Sequence, residues 1–132
     1  MASIINASPT NGIVQTADGS GILKIQSNSV TTNALAWVNF NGVTTATVRA
    51  SYNVSSVTRS STGIYVINFS TTTTDANYVP VLSVGNFNGS AGCVGGTSNA
   101  TRTTSSLTIQ TTNSAQTAFA DIDPIYVAIF GN

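Results

Sequence analysis

Two turn signals in quick succession, within residues 34–70, constrain this chain more than any other feature. The stretch reads ALAWVNFNGVTTATVRASYNVSSVTRSSTGIYVINFS and holds the only tryptophan and two of the four basic residues. The apolar run 35–40 ends at Asn41-Gly42, a dipeptide that accepts the two positive φ angles of a type I′ turn, and Val43 opens a return run rich in Val and Thr. This predicts a β-hairpin. Ser60-Ser61-Thr62-Gly63 interrupts the chain again before the bulky run 64–69, so a third strand follows on a short connection. The whole stretch reads as an antiparallel meander.

Side-chain alternation says which sides of these strands want cover. In the return run, Ala46, Val48, Ala50, Tyr52 and Val54 share one side, while Thr45, Thr47, Arg49, Ser51 and Asn53 share the other, which predicts one buried and one wet face. The first strand differs, because Leu35 and Trp37 oppose Ala36, Val38 and Phe40 and both sides are apolar. Runs 64–67 and 125–130 share that property. An antiparallel strand that is apolar on both faces needs a second layer or another subunit on each. Trp37, Phe40, Tyr65 and Ile67 are therefore the candidate subunit-interface residues.

The rest of the chain agrees with strands. Glutamate is absent, lysine occurs once, and the abundant Ser, Thr and Asn compete for helical backbone hydrogen bonds, whereas Thr, Val, Ile and the aromatics suit sheets. Charged residues make up 6% of the chain, against about 25% in an ordinary soluble domain, so neutral polar groups carry its hydration. Zero net charge and 41% hydrophobic residues oppose disorder. About eight strands in residues 34–132 predict an antiparallel β-sandwich, a jelly-roll-like knob. Residues 1–33 form a separate arm, with a small hairpin from 13–17 and 22–26. Pro80, which has no N–H to give, belongs at a sheet edge or bulge. Residues 85–105 form a long Gly/Ser/Asn/Thr-rich loop, with room for a short strand around 92–94 to break it up, and the apolar run 125–130 is an internal strand. No long internal repeat or heptad run occurs, so a fibre shaft is not expected within these residues.

Little in the chain supports catalysis. Without histidine, Ser-His-Asp and Cys-His arrangements cannot be built, and the commonest transition-metal ligand is missing. Cys93 stands alone, with no partner for a disulfide and no cluster for zinc, and reads as a small buried hydrophobe. Asp121 and Asp123 would share a face if extended, a pattern open to a Ca²⁺ site or a glycosidase pair, although Asp-x-Asp-Pro is ordinary turn chemistry and is preferred as such. Arg49 is a candidate for pairing with a carboxylate or lining a subunit contact, and Arg59 reads as an exposed residue on a wet face. No catalytic residue, metal ligand or cofactor is assigned. Four scattered cations fall short of the roughly 6–10 phosphate contacts of a duplex binder, so no nucleic-acid partner is expected. There is no basic, apolar leader and no run of about 18 apolar residues, so neither a signal peptide nor membrane insertion is expected.

Function enters through a resemblance. The phrases AWVNFNG (36–42), VRASYNVSSVTRSSTGIYVINFS (48–70) and DANY (75–78) resemble a module of structural and tail-fibre-type proteins of tailed bacteriophages. The opening VQTADGSGILKIQSNSVTTNA (14–34) is similar to the beginnings of fibre-type proteins. The resemblance spans roughly residues 35–78 and includes no catalytic signature. It implies a homotrimeric virion protein, assembled in the host cytoplasm, whose N-terminal arm engages other virion proteins and whose knob presents loops to a host-surface glycan or protein. Phe87, Asn88 and Arg102, on the long loop, are then the candidate tip residues. A trimeric capsid decoration protein on the phage head is the alternative, favoured by the lack of a shaft. A carbohydrate-binding or carbohydrate-active module using Asp121 and Asp123 is a third reading.

Overall fold

The computed structural model describes residues 25–27, 30–85 and 95–131, and its regular structure there is all β. Two short strands come first, β1 (Gln26–Ser27) and β2 (Val30–Thr31), paired as a hairpin of their own. Asn33 closes it by accepting from the Ile25 N–H at 2.8 Å. The expected pairing of 13–17 with 22–26 falls largely outside the described residues.

Eight strands follow: β3 (Ala36–Asn41), β4 (Thr47–Tyr52), β5 (Val54–Ser61), β6 (Ile64–Phe69), β7 (Val79–Val84), β8 (Gly95–Arg102), β9 (Ser106–Thr111) and β10 (Ile125–Phe130). They form two antiparallel four-stranded sheets, ordered β4-β3-β10-β7 and β5-β6-β9-β8. The β-sandwich expected from the sequence is the observed architecture. Its connectivity departs from a jelly roll in detail, because β3–β4, β5–β6 and β8–β9 are hairpins within a sheet. The last strand, β10, inserts between β3 and β7 as an internal strand, and Pro80 lies on the edge strand β7.

Alternation decides what fills the space between the sheets. Ala36, Val38 and Phe40 of β3 and Ile125, Val127 and Ile129 of β10 point inward from one sheet. Tyr65, Ile67 and Phe69 of β6 and Leu107 and Ile109 of β9 meet them from the other. Two edge-to-face ring pairs sit in this core, Phe40 with Tyr65 at 5.2 Å and Phe69 with Tyr78 at 5.8 Å. Each fully buried large apolar side chain contributes roughly 1.5–3 kcal/mol of transfer free energy, which makes this layer the main source of stability.

Three sequence expectations change. The β3–β4 connection is not a two-residue turn, because β4 begins only at Thr47 and the chain reaches it through a longer loop with Thr44 at φ 62°. Gly42 is required there for close approach: a Cβ would stand 2.5 Å from the Tyr65 hydroxyl oxygen and 2.8 Å from the Ile122 carbonyl. Its N–H donates to that same Ile122 carbonyl at 2.9 Å. Second, the return run is two strands. Asn53 adopts φ 53°, and the chain passes there from an edge of one sheet to an edge of the other. The Asn53 amide holds the crossing, donating to the carbonyls of Leu35 and Thr71 at 3.0 and 3.1 Å and accepting from the Thr71 N–H at 2.7 Å. As an edge strand, β4 is exposed along most of its length, so the expected buried face through Val48 and Ala50 is not formed. Third, the long loop contains β8, which pairs with β9.

Candidate functional site

The two carboxylates nearest to a chemical motif are each committed to an arginine. Asp121 receives Arg59 through Nε at 3.0 Å to both oxygens and through Nη2 at 2.8 Å, together with the Gly63 N–H at 2.8 Å and the Tyr65 hydroxyl at 2.9 Å. Arg59 and Tyr65 are opposite each other on β5 and β6, so both reach the same carboxylate. Gly63, at φ 66°, makes the approach possible: any Cβ would press on the Thr111 carbonyl and lie 2.8 Å from the Ala120 nitrogen. Burial alone would raise the Asp121 pKa, but the Arg59, Gly63 and Tyr65 hydrogen bonds outweigh it and hold the carboxyl below its usual range. Burial, reinforced by the adjacent carboxylate, pushes the Tyr65 hydroxyl up and keeps it neutral.

Asp123 turns the other way. It pairs with Arg49 through Nη1 at 2.6 Å and Nη2 at 2.8 Å. Arg49 is the extra residue of a bulge where Asn39 pairs Ala50 and Phe40 pairs Val48, and the bulge aims it out of the ladder. The segment before β10 is thus strapped to β5–β6 through Asp121 and to β4 through Asp123. Arg59 is not the free wet-face residue expected from the sequence, and the two aspartates do not share a site. Among the described residues no group of three or more His, Cys, Asp or Glu could hold a metal ion.

Phe87, Asn88 and Cys93 lie outside the described residues. Arg102 closes β8 opposite Leu107, beside the β8–β9 turn, whereas Gly95 at the other end of β8 adjoins the 86–94 connection. The Arg102 guanidinium donates to the Tyr78 carbonyl at 3.3 Å.

Of the four interface candidates, three are in this chain's own core. Phe40, Tyr65 and Ile67 are 0, 0 and 1% exposed and have no surface to offer a partner, whereas Trp37 is 41% exposed on the outside of β3. Register identifies its neighbours there. One row across the sheet is Tyr52, Trp37, Ala128 and Val81, the next is Ala50, Asn39, Tyr126 and Ser83, and Phe130 lies beside Val79. Val79, Val81, Tyr126 and Phe130 are all exposed. No residue in these rows is charged, and the Arg49–Asp123 pair borders them at the β4 bulge, close enough to Tyr126 for the guanidinium to feel its hydroxyl. The outer face of the second sheet is its opposite in character, with rows Ser61, Ile64, Gln110, then Thr58, Val66, Thr108, then Ser56, Asn68, Ser106. The Asn68 amide donates to Ser56 Oγ at 3.0 Å across that surface. One side of the sandwich is made for water, and the other presents aromatics.

The sequence held a signal for this asymmetry. Asn39 and Asn41 alternate with Val38 and Phe40, which marks the Trp37 side as the outer one. Comparison with known proteins gives no match, whether to a family model, a curated protein or a solved structure.

Proposed function

We propose that this chain is a non-enzymatic structural protein of the surface of a tailed-phage virion, a β-sandwich knob of a tail-fibre-like assembly of three copies. The arm engages other virion proteins, and the loops meet a host-surface glycan or protein. The observation that carries the structural role is the apolar outer face of β4-β3-β10-β7, whose exposed Trp37, Val79, Val81, Tyr126 and Phe130 suit a protein that works while covered by another. The phage-type phrases fall on β3 to β6 and on the segment just before β7, and so make up two strands of each sheet. Engagement of Asp121 by Arg59 and of Asp123 by Arg49 leaves no carboxylate pair poised for hydrolysis, which supports the non-enzymatic reading.

Antibody labelling of intact phage particles in the electron microscope tests this. Label on the tail, together with staining of host cells by the fluorescent protein, is the expected result. Label confined to heads would replace the fibre reading with capsid decoration, and particles without label would overturn both.

A further inference from the structure

We infer that the outer face of β4-β3-β10-β7 is the surface through which copies of this chain pack on one another. The inference deepens the structural role proposed above, and it rests on that reading only for the number of copies.

Four strands about 4.8 Å apart, with about six residues each at about 3.3 Å per residue, give a face of roughly 20 by 20 Å. In projection that is on the order of 400 Å², already within the ~300–600 Å² of the largest apolar patch on an ordinary monomer. Three such faces converging on one axis bury about 1,200 Å² in all, the lower end of the ~1,200–2,000 Å² of a stable interface. The area therefore suffices for a lasting contact.

Three features select a copy of the same chain as the occupant. The rows of the face hold no charged residue, the Arg49–Asp123 pair at its β4 border is neutral as a unit, and the chain has no net charge, so identical copies meet without placing unpaired like charges together, while a nucleic acid or a charged membrane finds no excess charge to pair with. Next, large and small side chains are mixed across it: Trp37 stands between Tyr52 and Ala128, and Tyr126 between Asn39 and Ser83. The small neighbours of Trp37 and Tyr126, Ala128 and Ser83, leave relief beside each ring for side chains of an adjoining copy. Finally, the edges of the same sheet are blunted. Pro80 interrupts donation along β7, and the bulge at Arg49 breaks the ladder of β4, so association by added strands is opposed while association by faces is not.

The experiment is light scattering on the purified chain and on Val81→Lys, Tyr126→Lys and Thr58→Lys. Val81 and Tyr126 are 54 and 44% exposed, so lysine there leaves the core intact, and Thr58 lies on the polar face of the other sheet as a control. The unmodified protein and Thr58→Lys are expected at a multiple of 13.5 kDa, three-fold by the reading above, and both lysine variants of the apolar face at 13.5 kDa with unchanged far-ultraviolet circular dichroism. A monomeric unmodified protein would overturn the inference whatever its place on the virion. Lysine variants that stay assembled would also overturn it, while leaving the virion role to the labelling experiment. Iodide quenching of Trp37 guards against a misfolded variant, since it must rise on dissociation while the dichroism holds.

Discussion

Replacing Tyr65 with Phe isolates the polar strap at the end of the core. The ring remains, keeping its edge-to-face contact with Phe40 at 5.2 Å, and only the hydroxyl is lost. That hydroxyl lies 2.9 Å from Asp121 Oδ1 and 3.0 Å from the Gly42 carbonyl, and its single proton serves one acceptor at a time. Asp121 keeps Arg59 and the Gly63 N–H after the change, so the loss is one hydrogen bond to a partly buried, charged acceptor. A bond of that kind contributes about 1.5–3 kcal/mol. Urea unfolding at fixed protein concentration reads the difference. With a slope of about 1–3 kcal/mol per molar urea, the midpoint is expected to fall by about 1 M with the slope unchanged. Alkali gives a second signature. Because the folded pKa of Tyr65 is raised, the hydroxyl stays neutral in the fold while an unfolded tyrosine ionises near pH 10, so its share of stability is present below about pH 10 and lost above it. Tyr78, whose pKa burial also raises, contributes to the same alkaline loss, so Tyr65→Phe makes it shallower without abolishing it. A midpoint equal to that of the unmodified protein would refute the strap as a source of stability.

Two other predictions follow from neighbouring features. Asp121 titrates below its unfolded value of about 3.9, so the stability it supplies is present above about pH 4 and lost as pH falls through the folded value; urea midpoints from pH 7 to 2 should show this acid loss, and Asp121→Asn should flatten it. An unchanged acid limb in that variant would exclude Asp121 as its source. Asn53→Ala removes three side-chain hydrogen bonds and puts alanine at φ 53°, with an expected cost of about 2–3 kcal/mol in urea unfolding. Asn53→Gly, which relieves the backbone alone, should recover only part of it, and full recovery would show that the hydrogen bonds at the sheet crossing contribute nothing.

How far the sequence was legible depends on how local each signal is. β3, β6, β9 and β10 announce themselves by bulky residues at period two, and the pattern matches what the sandwich buries. The split at Asn53 leaves no such trace, because the alternation of Val48, Ala50, Tyr52 and Val54 runs straight through it while one left-handed residue redirects the chain. β8 falls where the sequence predicts a loop, because Gly-Gly-Thr-Ser-Asn-Ala-Thr-Arg has no apolar period, and its pairing with β9 supplies the order instead. The doubly apolar strands signalled a need for cover on both faces, and the cover on the inner face proved to be the second sheet. That is why Phe40, Tyr65 and Ile67 sit inside and Trp37 sits outside. The Arg59–Asp121 and Arg49–Asp123 pairs join residues far apart in the chain, and no spacing rule anticipates them.

Trp37 offers the most direct test of the central claim, since it is the only tryptophan and stands on the outer face of β3. Iodide quenching of its fluorescence, followed as the unmodified protein is diluted, reports whether that face is covered. The account predicts weak quenching and blue-shifted emission in the concentrated protein, both lost on dilution to the level shown by Val81→Lys. Quenching as strong as in Val81→Lys at every concentration would show the face open to water and contradict it.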